Sequence, residues 1–222
     1  MEPGLYVVAT PIGNLKDITL RALDVLKSAD FILCEDTRRT KQLLKSHGVE
    51  QKKLVSFHKF NEKRKSDFVL DRIKEGKIGA LVSDSGTPAI SDPGAFIVEK
   101  CLREGIRVYP VPGPSSLCAG VSCSGIEGGF IFLGFLGKKK RDLEKLMNLK
   151  KEVNLPIVFF ESPNRIIRTF ERFSESNYNG FFIVWREMTK IYEEVIMGTA
   201  GQVLNKLKEK NKVKGEFLVV LK

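Results

Sequence analysis

Four short stretches of the sequence combine glycine or proline with acidic or hydroxyl side chains, each directly after an apolar run. They are ATPIGNLKD (9–17), CEDTRRT (34–40), SDSGTPAISDPG (83–94) and VPGPSS (111–116). Glycine allows a ligand to approach the backbone closely, and a turn can direct several N–H groups into one concavity. Because Asp84 and Asp92 add acceptors, the third stretch suits hydroxyls, amines or a sulfonium better than phosphates. Simple turn chemistry explains any one stretch, but four at successive strand ends predict a ligand site.

Two familiar nucleotide-binding motifs do not occur in these stretches. No GxGxxG follows the first apolar run, and GFLGKKKRD (134–142) lacks the Gly-Lys-Ser/Thr ending of a phosphate-binding loop. A structural zinc site is not expected either. The sequence has only two histidines, His47 and His58, and its four cysteines show no CxxC spacing. We therefore expect no metal at the site.

Charged side chains in three motifs are candidates for acid–base chemistry. Glu35 and Asp36 in CEDTRR stand between a predicted strand and a predicted helix, and a helix N-cap and a catalytic group are equally good interpretations of Asp36. Glu161 in FFESP ends an apolar strand at a loop, a setting that suits either a general base or a paired structural glutamate. Glu161 would be assisted by Arg165 of the same motif and by Lys190 of WREMTK. Alternatively, Lys190 would stabilise an alkoxide directly, and Glu161 would then have a positioning role.

Arginines and lysines form candidate contacts to phosphate groups, with forked contacts from arginine and point charges from lysine. In the strand that contains WREMTK, alternation would place Arg186 and Met188 on one face and Glu187 on the other. The basic stretch 138–151 is explained equally well as the solvated face of a helix. The candidate phosphate contacts are Arg38, Arg39, Lys138, Lys139, Lys140, Arg141 and Arg186.

The overall charge of the protein also favours a partner that carries phosphate groups. A net charge of +10 and a pI near 9.4 favour contact with polyanions such as RNA, DNA or anionic lipid, although a solvated lysine-rich surface explains them too. Phe57 and Phe60 flank His58 and Lys59, and both core and base-stacking roles stay open for them. The core is the expected place for Phe130, Phe132 and Phe135.

The first half of the sequence predicts strands and helices in alternation. Strands are predicted at 5–10, 30–35, 53–57, 78–84 and 106–111. Thr19 would cap a first helix whose apolar positions are Leu20, Leu23 and Leu26, and Gly48 and Gly76 would end the next two. Such alternation implies an α/β fold, with a mainly parallel sheet and helices on both faces.

Beyond residues 111–116 the pattern changes to a mixed, partly antiparallel arrangement. We therefore predict two domains, an N-terminal α/β domain of residues 1–113 and a C-terminal mixed α/β domain of residues 114–222. No apolar run is long enough to span a bilayer, and MEPGLYVVAT is typical of a first strand and not of a signal peptide. Together with cysteines that need no disulfide partner, these features predict a cytoplasmic protein.

Seven motifs in this order resemble one known family. They are LYVVATPIGNLKDITLRALDVL, CEDTRRT, VSDSGTPAISDPG, VPGPSS, FFESPNR, REMTK and KGE, and they cover nearly the whole chain. The sequence is similar to the bacterial small-subunit ribosomal RNA methyltransferases that methylate a cytidine 2′-hydroxyl. These enzymes have the two-domain tetrapyrrole methylase fold and use S-adenosyl-L-methionine. VATPIGNLKDIT together with SDSGTPAISDPG is the specific part of the resemblance, whereas GPS or ESP alone would be weak.

The resemblance implies a binding cleft for S-adenosylmethionine between the two domains, a ribosomal RNA or small-subunit partner, and a homodimer. The cofactor-binding residues that it implies are Pro11, Gly13, Asp84, Gly86, Thr87, Pro88, Ser91, Ser115, Ser116, Phe135, Leu136, Gly215 and Glu216. Four positions depart from the family's pattern. Arg39 and Asn164 stand where histidine is usual, Ser85 where alanine is usual, and Gly137 where proline is usual.

The leading interpretation is therefore S-adenosylmethionine-dependent 2′-O-methylation of a cytidine in small-subunit ribosomal RNA. One alternative is a methyltransferase of the same fold that acts on a tetrapyrrole, whose carboxylates would also suit a basic protein. The other is a non-catalytic RNA-binding protein of ribosome assembly. We expect Glu161, Lys190, Arg165 and Asp36 to be the catalytic group.

Overall fold

The structure is a computed structural model of the chain, and it describes residues 1–176, 178–210 and 213–222. The chain divides into two compact units, residues 1–115 and residues 116–222. No helix among the described residues is long and apolar enough to cross a membrane. The same ranges contain no group of three or more histidine, cysteine, aspartate or glutamate side chains arranged to hold a metal ion.

The first unit alternates five strands with four helices, as the sequence predicts. The strands are β1 (Gly4–Val8), β2 (Phe31–Cys34), β3 (Leu54–Ser56), β4 (Ile78–Leu81) and β5 (Val108–Val111). The helices are α1 (Leu20–Ser28), α2 (Thr37–Ser46), α3 (Glu62–Lys74) and α4 (Ala95–Arg103). All pairings are parallel, and the strand order is β3-β2-β4-β1-β5.

Side chains alternate between the two faces of this sheet, because successive residues of a strand point to opposite sides. Leu5 and Leu81 pack on one face with apolar side chains of α3 and α4, such as Val69 and Ile97. Tyr6, Val8, Ala80 and Val82 pack on the other face with side chains of α1 and α2, including Leu26 and Leu44. Helices on both faces are thus required to cover a sheet that is apolar on both sides, which confirms the predicted fold class.

Local signals fix several helix ends. The Thr19 hydroxyl accepts a hydrogen bond from the Ala22 N–H at 3.1 Å and caps α1. Gly48 and Gly76 follow α2 and α3 with φ of +66° and +85°, left-handed conformations that glycine adopts without strain. One apolar position is not as expected: Leu20 is 81% exposed, because α1 buries Ala22, Val25 and Leu26.

The second unit contains five strands and four helices among the residues that the structure describes. The strands are β6 (Ile131–Phe135), β7 (Ile157–Glu161), β8 (Phe182–Arg186), β9 (Glu194–Gly198) and β10 (Phe217–Leu221). The helices are α5 (Ser116–Ser122), α6 (Lys140–Glu152), α7 (Ile166–Glu175) and α8 (Ala200–Lys208). The strand order is β6-β7-β10-β8-β9; β6 and β7 are parallel, and the other pairings are antiparallel.

This mixed sheet also has two covered faces. Phe159, Val184 and Val219 belong to a large core with side chains of α6, α7 and α8. Val158, Ile183 and Leu218 face the other side, against Leu117 and Val121 of α5. Phe132 packs against this second cluster as expected. The prediction of a core position is wrong for Phe130 and Phe135, which are exposed where β6 begins and ends.

Candidate functional site

The loops that follow β1, β4 and β5 are joined at the carboxyl edge of the parallel sheet. The Thr10 N–H donates to the Gly86 carbonyl at 2.9 Å, and the Gly86 N–H donates back to the Thr10 carbonyl at 3.0 Å. The Thr87 hydroxyl donates to the Pro114 carbonyl at 3.1 Å. A Cβ atom on Gly86 would lie 3.3 Å from Ile12 Cγ2 and 3.9 Å from the Pro114 carbonyl oxygen. Gly86 therefore lies where the three loops meet, at the edge where ligands of open parallel sheets bind.

The loop after β4 has an unusual backbone. Gly86, Ala89, Ser91 and Gly94 all have positive φ, of +85°, +67°, +66° and +122°. The Ala89 N–H donates to the Pro93 carbonyl at 3.2 Å and holds the tight turn between them. Non-glycine residues adopt this conformation rarely, and such strain collects at functional sites. The loop is thus shaped for more than a chain reversal.

Acidic side chains join this loop to the start of α2. The Asp84 carboxylate accepts a hydrogen bond from the Asp36 N–H at 3.1 Å, and its other oxygen lies 3.6 Å from Arg39. Burial and the charge of Asp84 together raise the pKa of the Glu35 carboxyl group. Arg38 makes a forked contact to the two oxygens of Asp36, at 3.0 and 2.7 Å, and holds the pKa of that carboxyl far below its usual range.

Asp36 is an N-cap, as one of the two sequence interpretations proposed. Its side chain accepts a hydrogen bond from the Arg38 N–H at 2.9 Å. The other cofactor residues implied for the first unit lie on the same three loops. Pro11 and Pro88 are buried, Ser115 is half-buried, and Gly13 and Ser91 are exposed.

Glu161 lies at the end of β7, in a closed network within the second unit. The residue is 2% exposed, and both of its carboxylate oxygens are bonded. One accepts from the Ser162 N–H at 2.7 Å and pairs with Arg165 at 2.6 Å; the other accepts from the Thr169 hydroxyl at 2.8 Å. Arg165 also donates to the Leu136 carbonyl at 2.9 Å. The paired structural glutamate that the sequence left open is therefore present in the structure.

Lys190 is held between two carboxylates of the second unit. Its ammonium lies 2.9 Å from Glu187 Oε1 and 3.0 Å from Glu216 Oε2. Burial alone would lower the pKa of Lys190, but the hydrogen bonds to these two carboxylates outweigh it and raise that pKa. Gly215 makes the arrangement possible, because a Cβ there would lie 2.4 Å from Glu187 Cγ.

The predicted strand alternation at WREMTK is wrong. Glu187 has a φ of +52°, so the strand ends at Arg186 and the alternation of faces stops there. Met188 packs against the cluster that faces α5. Arg186 instead pairs with Glu194 at 3.3 Å, opposite it on β9, and is largely buried. This geometry leaves Arg186 poorly placed for a phosphate.

The remaining implied residues of the second unit lie in three places. Ser116 is half-buried at the start of α5, and the Leu136 side chain belongs to the large core. Lys138, Lys139, Lys140 and Arg141 are all exposed where α6 begins. The Lys139 N–H donates to Asp142 at 3.0 Å. The absence of a side chain on Gly137 permits this turn, since a Cβ there would lie 2.1 Å from Asp142 Oδ2.

Several side chains that shape these sites were missed or not given a role. The Thr10 hydroxyl donates to the Ser83 carbonyl at 3.1 Å, and the Ser83 hydroxyl donates to the Gly86 carbonyl at 3.1 Å. Thr169 bonds Glu161 from the first turns of α7. No periodic signal marks these hydroxyls. Glu35, by contrast, was already a candidate carboxylate in the sequence, because it directly follows a predicted strand beside Asp36.

Comparison with known proteins identifies the family. The profile of the Tetrapyrrole (Corrin/Porphyrin) Methylases matches residues 4–204. A Thermotoga maritima protein named ribosomal RNA small subunit methyltransferase I is 48% identical over 218 residues, which are 98% of this chain and 97% of that protein. A protein of the same name from a Hydrogenobaculum species is 42% identical, over 98% and 94% of the two chains.

Solved structures show the same fold. A uroporphyrin-III C-methyltransferase from Thermus thermophilus, solved with S-adenosylhomocysteine, aligns with a TM-score of 0.66 at 18% identity, over 98% of this chain and 96% of that one. The likeness at this identity concerns the fold alone. The family profile and the close relatives carry the assignment: the chain is a methyltransferase that belongs to the tetrapyrrole methylase family, in the branch of the ribosomal RNA small subunit methyltransferases I.

Proposed function

We propose that this chain uses S-adenosylmethionine to methylate the 2′-hydroxyl of a cytidine in small-subunit ribosomal RNA. The observation that carries the proposal is the 48% identity, over nearly the full length of both chains, to a ribosomal RNA small subunit methyltransferase I. The net charge of +10 supports a polyanionic substrate.

The loops after β1, β4 and β5 have the chemistry that the cofactor needs. S-adenosylmethionine carries a sulfonium, an amine, hydroxyls and one carboxylate. Asp84 and Glu35 offer carboxylates, and Gly86 is buried where the three loops meet, with no side chain to occupy that junction. We propose that these residues, with Thr87, hold the cofactor. When bound, S-adenosylmethionine supplies a methyl group that is activated by the positive charge on its sulfur.

The chain's own residues must hold the acceptor hydroxyl in line and remove its proton. The hydroxyl oxygen would form a bond to the methyl carbon while the carbon–sulfur bond breaks and leaves its electron pair on sulfur, and the hydroxyl proton would pass to a base. Alignment of the reacting groups alone is worth ~7–11 kcal/mol. Lys190 would stabilise the oxygen as its negative charge develops, and Asp36 with Arg38 would hold the nucleotide. The proposed phosphate contacts are the exposed cations Arg38, Arg39, Lys138, Lys139, Lys140 and Arg141.

A catalytic role for Glu161 and Arg165 stays a prediction. Both oxygens of the Glu161 carboxylate accept hydrogen bonds within the protein. This favours a role in which Glu161 positions Arg165 over one in which it removes a proton from the substrate. Arg165 has a side chain that is 24% exposed and is therefore the member of this pair that can reach a substrate.

The experiment is methyl transfer from labelled S-adenosylmethionine to three acceptors: naked small-subunit RNA, assembled small subunits, and a carboxylated tetrapyrrole. We expect label in RNA only. Because a 2′-O-methyl group blocks attack of the ribose on the next phosphate, the label should survive alkali in a dinucleotide that contains cytidine. Label in the tetrapyrrole would favour the alternative enzyme. RNA binding without transfer, despite bound cofactor, would favour the non-catalytic assembly protein.

We also propose a homodimer that acts in the cytoplasm, where the ribosomal substrate is assembled. β9 is an edge strand whose Val195 and Met197 are exposed, next to exposed Ile191 and Tyr192. Exposed apolar side chains grouped in this way suit contact with a second copy. Sedimentation equilibrium should give twice the 25.0 kDa of one chain, and Met197→Glu should shift the mass towards one chain. A monomeric wild-type protein would contradict the proposal.

A further inference from the structure

The turn that follows β3 presents an almost fully exposed aromatic side chain. Phe60 is 94% exposed, while Phe57 in the same turn is 1% exposed and anchors it to the core. A single exposed apolar residue is ordinary in itself. The residues around Phe60 are what indicate a function for its exposed ring.

Hydrogen bonds fix the conformation of this turn (residues 57–61). The N–H groups of Asn61 and Glu62 both donate to the His58 carbonyl at 2.9 Å. The Asn61 side chain, which is buried, accepts from the His58 N–H at 2.9 Å and donates to the Ser56 carbonyl at 3.2 Å. The His58 ring lies edge-on to the Phe60 ring, with centroids 6.1 Å apart. Phe60 is therefore held outward by an ordered turn.

Cations flank the exposed ring in the sequence. Lys59 and Arg64 are exposed there, whereas the ammonium of Lys63, also exposed, lies over the Phe96 ring, 5.8 Å from its centroid. Among residues 1–176, 178–210 and 213–222, neither Lys59 nor Arg64 forms a salt bridge, and the carboxylate of nearby Asp67 pairs with Lys100 instead. The charges of Lys59 and Arg64 are therefore available to a partner. Unpaired cations beside an exposed aromatic ring are the combination that binds single-stranded nucleic acid, with bases stacked on the ring and phosphates on the cations.

The topology places this turn beside the candidate site of the first unit. β2 and β3 are parallel neighbours, and the Phe57 N–H donates to the Cys34 carbonyl at 2.7 Å. The turn therefore leaves the same edge of the sheet as Glu35 and Asp36, which follow β2. Glu62, at the start of α3, also accepts a hydrogen bond from the Gly94 N–H at 3.3 Å, at the end of the loop after β4.

We propose that Phe60 is a stacking platform for an unpaired base of the RNA substrate, with Lys59 and Arg64 holding the flanking phosphates. The proposal rests on the proposed function, because it assumes an RNA substrate. A single strand is the form of RNA that fits, because bases inside a helix have no free face for the ring.

The test compares Phe60→Ala with wild type and with Phe181→Ala, a control that removes another exposed phenylalanine, in the second unit. The probes are a 12-nucleotide single-stranded RNA and the same RNA as a duplex. Base stacking on an aromatic residue is worth enough to predict a ~5- to 150-fold weaker binding of the single strand by Phe60→Ala. The duplex, the Phe181→Ala control and cofactor affinity should all be unaffected.

Two further readouts separate stacking from a general effect on the charged surface. The ratio of wild-type to Phe60→Ala affinity should stay constant between low and high salt, because only the phosphate contacts release counterions. In a Phe60→Trp variant, single-stranded RNA should quench the new fluorescence after subtraction of the Trp185 signal of the wild type.

Equal losses for single strand and duplex would overturn the proposal, as would no loss at all. A loss seen only with assembled small subunits would identify a protein contact and would also overturn it. These are binding measurements, so they remain informative if the chain transfers no methyl group. Failure of the proposed function would appear separately, as wild-type protein that labels no RNA.

Discussion

Replacement of Gly86 by valine tests whether the loop after β4 holds the cofactor. Gly86 has a φ of +85°, and so does Gly76, which ends α3 away from the site. A Cβ on Gly76 would have no atom within 4 Å, whereas one on Gly86 would lie 3.3 Å from Ile12. Gly76→Val is therefore a matched control that imposes the same backbone strain without the new contact.

The expected magnitudes follow from this difference. A left-handed conformation costs an L-residue ~1–2 kcal/mol, and both variants carry that cost. Gly86→Val adds the cost of inserting atoms at a packed junction, ~1–3 kcal/mol. For a chain of this length, where each kcal/mol shifts Tm by ~2–4 °C, Gly76→Val should lower Tm by ~2–8 °C and Gly86→Val by ~4–20 °C. Both variants should still be folded at 25 °C.

Cofactor affinity should separate the two variants. If the same inserted atoms obstruct the cofactor, Gly86→Val weakens binding ~5- to 150-fold, because 1.4 kcal/mol corresponds to a factor of ten. Gly76→Val should bind as the wild type does. Titration calorimetry at 25 °C measures the affinities, and thermal unfolding measures the stabilities. Equal affinities of a folded Gly86→Val and the control would refute the assignment of this loop to the cofactor.

Three other changes test the remaining assignments. Glu161→Gln should lower the free energy of unfolding by about 2 kcal/mol, because the hydrogen bonds to the charged carboxylate are lost. Full stability together with a ~10²–10⁴-fold slower single-turnover transfer would instead make Glu161 the base. Replacing residues 138–141 with alanine should reduce the salt dependence of RNA binding and leave cofactor affinity unchanged, and an unaltered slope would assign them to ordinary surface. Because the folded-state pKa of Glu35 is raised, its charge costs stability as pH rises above 4.5, the ordinary value. Glu35→Gln should thus be more stable than wild type in urea at pH 7 but not at pH 4, and a less stable variant at pH 7 would contradict the raised pKa.

The elements of both units were predictable because their signals are local. Thr19 and Gly76 mark helix ends by side-chain capping and by a positive φ, and each acts within a few residues. Alternating apolar side chains in the strands require cover on both faces of the sheet. The failures have a local cause as well. Glu187 adopts a left-handed conformation that cannot be predicted from its residue type, so the predicted faces of Arg186 and Met188 were wrong.

The connections within the site were not predictable in the same way. Thr10 and Gly86 are 76 residues apart, and their paired hydrogen bonds depend on the order of strands in the sheet. Asp84 was expected to bind the cofactor, but its contacts to Asp36 and Arg39 show that it also joins two loops. Such contacts carry no period and no fixed spacing. The sequence could name the loops that take part, whereas their mutual bonds follow only from the folded sheet.

Glu35 and Asp36 show how adjacent carboxylates acquire different chemistry. The Asp36 carboxylate caps α2 and forms hydrogen bonds with the Arg38 side chain, so its pKa is lowered and it stays ionised. Glu35 is half-buried beside the charge of Asp84, so its pKa is raised. When their surroundings shift the pKa values of two neighbouring carboxylates in opposite directions, one stays permanently charged and the other exchanges protons more readily. Of these two residues, Asp36 is therefore suited to hold the nucleotide through Arg38 as a permanent charge, and Glu35 is the carboxylate that can exchange a proton beside the bound cofactor.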